Sequence, residues 1–127
     1  MPGEALPTSV QQFLAKYIRS VEQLEVLLLL QHSPDRSWTG AEVYETVRSS
    51  RASVEERLES FVLLGFLGKD DGPPPTFRYA PKETLAVAVD ETASAYQKWR
   101  IRVIEAIFTP AADSAQRFAD AFKVRKD

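Results

Sequence analysis

The chain has 127 residues, 44% apolar and 27% charged, which suits one folded domain and excludes a disordered chain. It contains no cysteine, which excludes disulfides, thiolate metal sites and cysteine nucleophiles and suits a reducing compartment. A formal net charge of -2 argues against a protein that coats nucleic acid or anionic lipid by bulk charge, although a local basic face stays open.

Residues 1–8, with Pro2, Gly3 and Pro7, predict a loose tail. Val10, Phe13, Leu14, Tyr17 and Ile18 then recur at helical spacing. Ser20-Val-Glu-Gln23 has the form of a capping box, in which serine caps the amide three residues on and glutamine reaches back. It predicts a break near Arg19 and Ser20 and a second helix from Val21 to about Gln31. Leu24, Leu27, Leu28 and Leu30 leave that helix little polar face, so it belongs in the centre of the core. Residues 32–38 are a turn rich in helix breakers. Thr39-Gly-Ala-Glu42 is a second capping box and opens a short helix to about Val47, with Val43, Tyr44 and Val47 facing inward.

Ser49-Ser50 interrupts that helix. The next one starts at Ser50 or at Ser53, runs through Val54, Leu58, Phe61 and Leu64, and stops at Gly65, a natural left-handed cap. Phe66-Leu67 and Phe77-Arg-Tyr79 flank Lys69–Pro75 and predict a strand–loop–strand hairpin whose three successive prolines stiffen the loop. Pro81 and Glu83 suit the first turn of a helix expected to run unbroken to about Phe108, where Pro110 ends it. A last helix is expected over about Asp113–Val124, and the tail Lys123-Val-Arg-Lys126 is basic.

Helix, turn, helix and hairpin from Trp38 to Tyr79 resemble the helix-turn-helix and wing of bacterial winged-helix regulators. Leu63-Leu64-Gly65-Phe66-Leu67 resembles the boundary where the recognition helix of such regulators ends and the first wing strand begins. Ser20–Leu27 and Phe118–Lys126 are also similar to segments of small bacterial proteins of the same layout, a likeness that brings no activity with it. The fold the resemblance implies is mainly α with a small β hairpin: a winged helix-turn-helix with a long C-terminal helix and additional terminal helices. The expected divisions are a tail over 1–8, a winged-helix domain over 9–81 and a helical extension over 82–127 that dimerises.

The function the resemblance implies is that of a transcriptional regulator. The third helix enters the major groove and the wing touches phosphates. The positions that match are Arg48, Ser49, Ser50, Arg51, Ser53, Glu56 and Arg57, with Lys69 and Arg78 on the wing. The chain departs from this pattern in carrying Glu55, Glu56 and Glu59 on the same helix and Asp70-Asp71 near the wing tip, where a phosphate-binding wing carries cations. A winged helix used for protein contact instead of DNA is therefore the alternative. The arginines also fit an ordinary solvated helix surface with local ion pairs.

No catalytic constellation stands out, so no enzyme is expected. His32 is the only histidine, and its neighbours Ser33 and Asp35 lie in one turn, where nucleophile, base and orienter rarely converge. With no cysteine, no calcium-loop spacing and no Gly-rich phosphate loop, neither a metal nor another cofactor is expected. Trp38 reads as a packing residue beneath the helix that follows it. Lys98-Trp-Arg-Ile-Arg102 reads as an amphipathic helix with a wet basic side, or as a nucleic-acid patch. The longest apolar run, Val26–Leu30, falls far short of the roughly 20 residues of a membrane span, and Met1–Ala5 does not open a secretion signal, so a soluble, cytoplasmic protein is expected.

Leu85, Val89, Thr92, Tyr96, Trp99, Val103 and Ile107 fall on one stripe of the long helix at an average step of about 3.7, near the straight-helix period. This stripe, with Leu85, Val89, Tyr96, Trp99, Val103 and Ile107 as its contact residues, is expected to project and pair with a second copy as a homodimer. The alternative cover is the chain's own Phe13, Tyr17, Phe118 and Phe122.

Overall fold

The computed structural model describes residues 6–108. In chain order these form α1 (Thr8–Tyr17), α2 (Val21–His32), β1 (Trp38–Thr39), α3 (Gly40–Val47), α4 (Arg51–Leu64), β2 (Leu67–Asp70), β3 (Thr76–Tyr79), α5 (Glu83–Lys98) and α6 (Arg100–Phe108). The strands make one antiparallel sheet in the order β1-β3-β2. None of these helices is long and apolar enough to cross a membrane. The final helix expected over 113–124 and the basic tail lie outside the described residues.

Caps set the helix boundaries. Ser20 Oγ accepts from the Gln23 amide at 3.0 Å and starts α2. The Gln23 side chain reaches back as expected, but to the Arg19 amide (2.6 Å), one residue before the cap. Thr39 and Glu42 form the full reciprocal box at the start of α3, at 3.1 and 3.0 Å. Between the two possible starts of α4 the chain uses Ser50, whose Oγ accepts from the Ser53 amide at 3.0 Å. Gly65 closes α4 at φ 94°, and the Phe66 amide turns back to the Phe61 carbonyl at 2.9 Å. A glycine is needed at that angle because a side chain would be strained there.

The hairpin pairs Leu67 with Tyr79 and Asp70 with Thr76. A third strand, not expected from the sequence, joins it: Trp38 pairs with Phe77 and Thr39 with Thr76. Two residues are too few to show an alternating pattern. The strand places Trp38, 4% exposed, against the buried Phe77 and under the start of α3.

The core gathers Phe13 and Tyr17 of α1 with Phe61 of α4 around Phe66, at centroid distances of 5.1–5.8 Å and interplanar angles of 88°. Each such edge-on pair adds about 0.5–1.5 kcal/mol beyond the area it buries. α2 runs through the middle with Leu24, Val26, Leu27 and Leu30 fully buried.

Two expectations are corrected. The loose tail does not reach residue 8: Leu6 is buried, its carbonyl accepts from Gln11 Nε2 at 2.7 Å, and α1 begins at Thr8. The long helix is also not continuous. Trp99 leaves the helical region (φ -134°, ψ 56°), its amide still reaches the Ala95 carbonyl, and its own carbonyl accepts from Val103 to start α6. The break lets α5 and α6 both pack on α1. Val89, Val103 and Ile107 are thereby buried inside the chain instead of lining a projecting rod.

Candidate nucleic-acid interface

The α3–α4 turn is tight because Arg48 takes the left-handed conformation (φ 62°), which only a few per cent of non-glycine residues adopt. It leaves the Arg48 side chain exposed at the corner. Ser50, expected at the DNA, spends its oxygen as the α4 cap.

α4 presents two different flanks. Toward α2, Ser53 and Arg57 meet Glu22. Ser53 Oγ donates to Glu22 Oε1 at 2.7 Å and Arg57 Nε donates to the same oxygen at 3.1 Å, while Ser49 Oγ donates to Oε2. The Glu22 side chain is 17% exposed and that of Arg57 is 30%. Burial pushes the Glu22 carboxyl up, but the hydrogen bonds from Ser49, Ser53 and Arg57 and the charge of Arg57 outweigh it and hold the group below its ordinary value. Two residues expected at the DNA, Ser53 and Arg57, are thus engaged within the chain.

The outward flank is acidic. Glu55, Glu56 and Glu59 are exposed there, and Arg51, the one cation among them, pairs with Glu55 at 3.2 Å. On the wing Lys69 Nζ lies 2.7 Å from Glu59 and 3.9 Å from Asp71. The hydrogen bond that Lys69 donates to Glu59 is the main cause that raises the Lys69 pKa, with both carboxylate charges adding to it. Arg78 is exposed on β3 beside them. Across this face four cations (Arg48, Arg51, Lys69 and Arg78) stand among five carboxylates (Glu55, Glu56, Glu59, Asp70 and Asp71), and two of the four cations are already paired. A groove of about 470 Å³ separates α4 from the wing, with the three glutamates on one wall and Pro74, Pro75 and Phe77 opposite. Leu63, 86% exposed, extends the face at the far end of α4.

The stripe expected to dimerise divides between core and surface. Leu85, Tyr96 and Trp99 are half-buried. Tyr96 Oη donates to Glu25 Oε2 at 3.0 Å, and Arg100 lies over the Tyr96 ring at 4.7 Å and reaches the same carboxylate oxygen at 3.3 Å. Burial and the Glu25 hydrogen bond raise the Tyr96 pKa. Val87, Ile101 and Phe108 are the large apolar side chains left exposed on α5 and α6. None of the three lies on the stripe from Leu85 to Ile107, whose Val89, Thr92, Val103 and Ile107 turn inward. Counted from Arg100, Ile101, Ile104 and Phe108 make their own helical stripe. Behind Tyr96 a cavity of about 610 Å³ opens between α2, α3 and α5, with Leu28, Leu29 and Val47 in its wall and His32 at its edge.

No family model and no curated protein matches the chain. Solved structures do match its shape. A MarR family transcriptional regulator from Streptomyces coelicolor superposes with a TM-score of 0.56 at 16% identity, over 97% of this chain and 81% of that one. A transcriptional regulator from Thermotoga maritima gives 0.53 at 7% identity, over 91% and 82%. Wild-type MarR from E. coli, in its apo form, gives 0.50 at 12% identity, over 94% and 87%. The chain has the winged-helix fold of these bacterial transcriptional regulators.

Proposed function

We propose that the chain is a winged-helix regulatory adaptor, which keeps the regulator scaffold as a homodimer and uses the α4–wing face to hold a basic surface of a protein partner instead of duplex DNA. The observation that carries this reading is the charge of that face: three outward glutamates on the helix that would enter the groove, with Arg51 and Lys69 neutralised in place. Duplex DNA carries a negative charge about every 1.7 Å of its axis, and affinity grows with the phosphates a protein neutralises. A face with more carboxylates than cations repels that backbone. The same face, with an apolar groove wall and the exposed Leu63, has the mixed character of a protein contact.

The test is fluorescence anisotropy at low salt. A labelled mixed-sequence duplex is expected to show no salt-dependent binding to the wild-type protein. A labelled basic peptide is expected to bind, and to lose that affinity in Glu55→Gln/Glu56→Gln/Glu59→Gln. Duplex binding that weakens steeply as salt rises would overturn the reading and favour the second one, a DNA-binding regulator. That second reading is supported by Arg48 and Arg78, both exposed at the rim of the face.

A further inference from the structure

Ser49, Ser53 and Arg57 lie at successive steps of four, so the turn and first two coils of α4 stack them on one side. All three point donors at one place, the Glu22 carboxylate. Two hydroxyls and a guanidinium that converge within hydrogen-bond reach are the donor set that binds a phosphate oxyanion. Here the oxyanion is supplied by the first turn of α2. Ser49 is open to solvent and Arg57 is partly so, which puts the mouth of the site at the surface. A carboxylate tethered in the same chain competes with any dissolved anion at a high effective concentration.

We propose that Glu22 is a second barrier to nucleic acid on this winged helix, beside the outward glutamates: it fills from within the chain the oxyanion site of Ser49, Ser53 and Arg57, and its removal gives the module affinity for the phosphate backbone of duplex DNA. The inference rests on the reading that the wild-type face does not hold DNA, and it names a residue responsible. A contact that served only to clamp α2 on α4 would behave differently. Its loss would lower stability and leave DNA affinity unchanged.

The experiment compares wild type, Glu22→Ala, Glu22→Gln and Glu45→Ala for binding of a labelled mixed-sequence duplex at about 50 mM salt, with folding checked by circular dichroism. Glu45 is exposed on α3 and removes the same charge away from the site. Glu22→Ala is expected to bind about tenfold or more tighter than wild type, because it frees a guanidinium and two hydroxyls for a charged acceptor. Adding Arg57→Ala should abolish the gain. If Glu22→Ala does not fold, the isosteric Glu22→Gln carries the same direction with a smaller gain. A folded Glu22 variant that binds no tighter than wild type, or no tighter than Glu45→Ala, overturns the assignment. Duplex binding by the wild type itself would overturn the proposed function as well, whereas silence in both wild type and Glu22 variants defeats the Glu22 inference alone.

Discussion

Tyr79 ends β3 with a half-buried ring and a hydroxyl that is buried without a hydrogen-bond partner among the described residues. Burial, and secondarily the charge of Asp90, push its pKa from 10.0 up to about 12. A raised tyrosine pKa means that the folded state holds its proton more tightly than the unfolded state. The stability it contributes is therefore complete below pH 10 and is lost as pH rises toward 12. Tyr79→Phe removes a desolvated donor that has gained nothing in return, so urea unfolding at neutral pH should show unchanged stability or a gain of about 1 kcal/mol. The variant should also lose part of the wild-type decline above pH 10. A loss at neutral pH would mean that the hydroxyl is satisfied in solution. At this scale the sequence was informative where chemistry is local. Thr39 and Glu42 are three apart and their box was legible, as was the packing role of Trp38. Glu22 and Arg57 are 35 residues apart, and nothing in either neighbourhood announces the pair that withdraws Arg57 from the candidate interface.

Elements whose ends carry chemical signals were legible, and elements without such signals were not. α2, α3 and α4 begin at capping side chains and α4 ends at glycine, and each boundary falls within about a residue of its signal. The break at Trp99 has neither proline nor glycine. Apolar residues continue across it at nearly helical steps, so periodicity alone runs through it. On either side of the bend α5 and α6 both pack on α1, a tertiary contact that periodicity does not register. Gly65 offers the sharpest test of an element boundary. A Cβ there would sit 2.7 Å from Lys82 Cε, a flexible neighbour that can move aside, but φ 94° would still strain the backbone. Gly65→Ala is expected to cost about 1 kcal/mol or somewhat more in chemical denaturation. Gly68→Ala is a control in ordinary contact with its surroundings (nearest atom 3.7 Å), so it separates backbone strain from a general loss of glycine in the wing. Equal effects at the two positions would contradict the capping role of Gly65.

At the scale of the whole molecule, the expectation of a homodimer outlives the residues first assigned to it. Val89, Val103 and Ile107 are covered by the chain's own packing and have nothing left to offer a partner. What α6 leaves exposed is a different stripe. Ile101 and Phe108 are seven residues apart on α6, hence on one face, with exposures of 65% and 71%, and half-buried Ile104 lies between them. Val87 adds a third exposed side chain on α5. Single exposed apolar residues are common on soluble domains, but a contiguous stripe marks a contact. A two-fold contact matches such a stripe with itself, and two-fold dimers are the commonest closed assembly. Light scattering at micromolar concentration should therefore give twice the chain mass of 14.3 kDa. Ile101→Asp should halve that mass without unfolding the protein, because an unpaired carboxylate would be buried on each side of the contact while the core residues Val103 and Ile107 are untouched. Trp99→Glu, at the half-buried bend, should act more weakly on assembly and more strongly on stability, since its ring packs against the core of its own chain. A monomer mass for the wild type would defeat the dimer and favour the alternative cover from the chain's own residues, Phe118 and Phe122 among them.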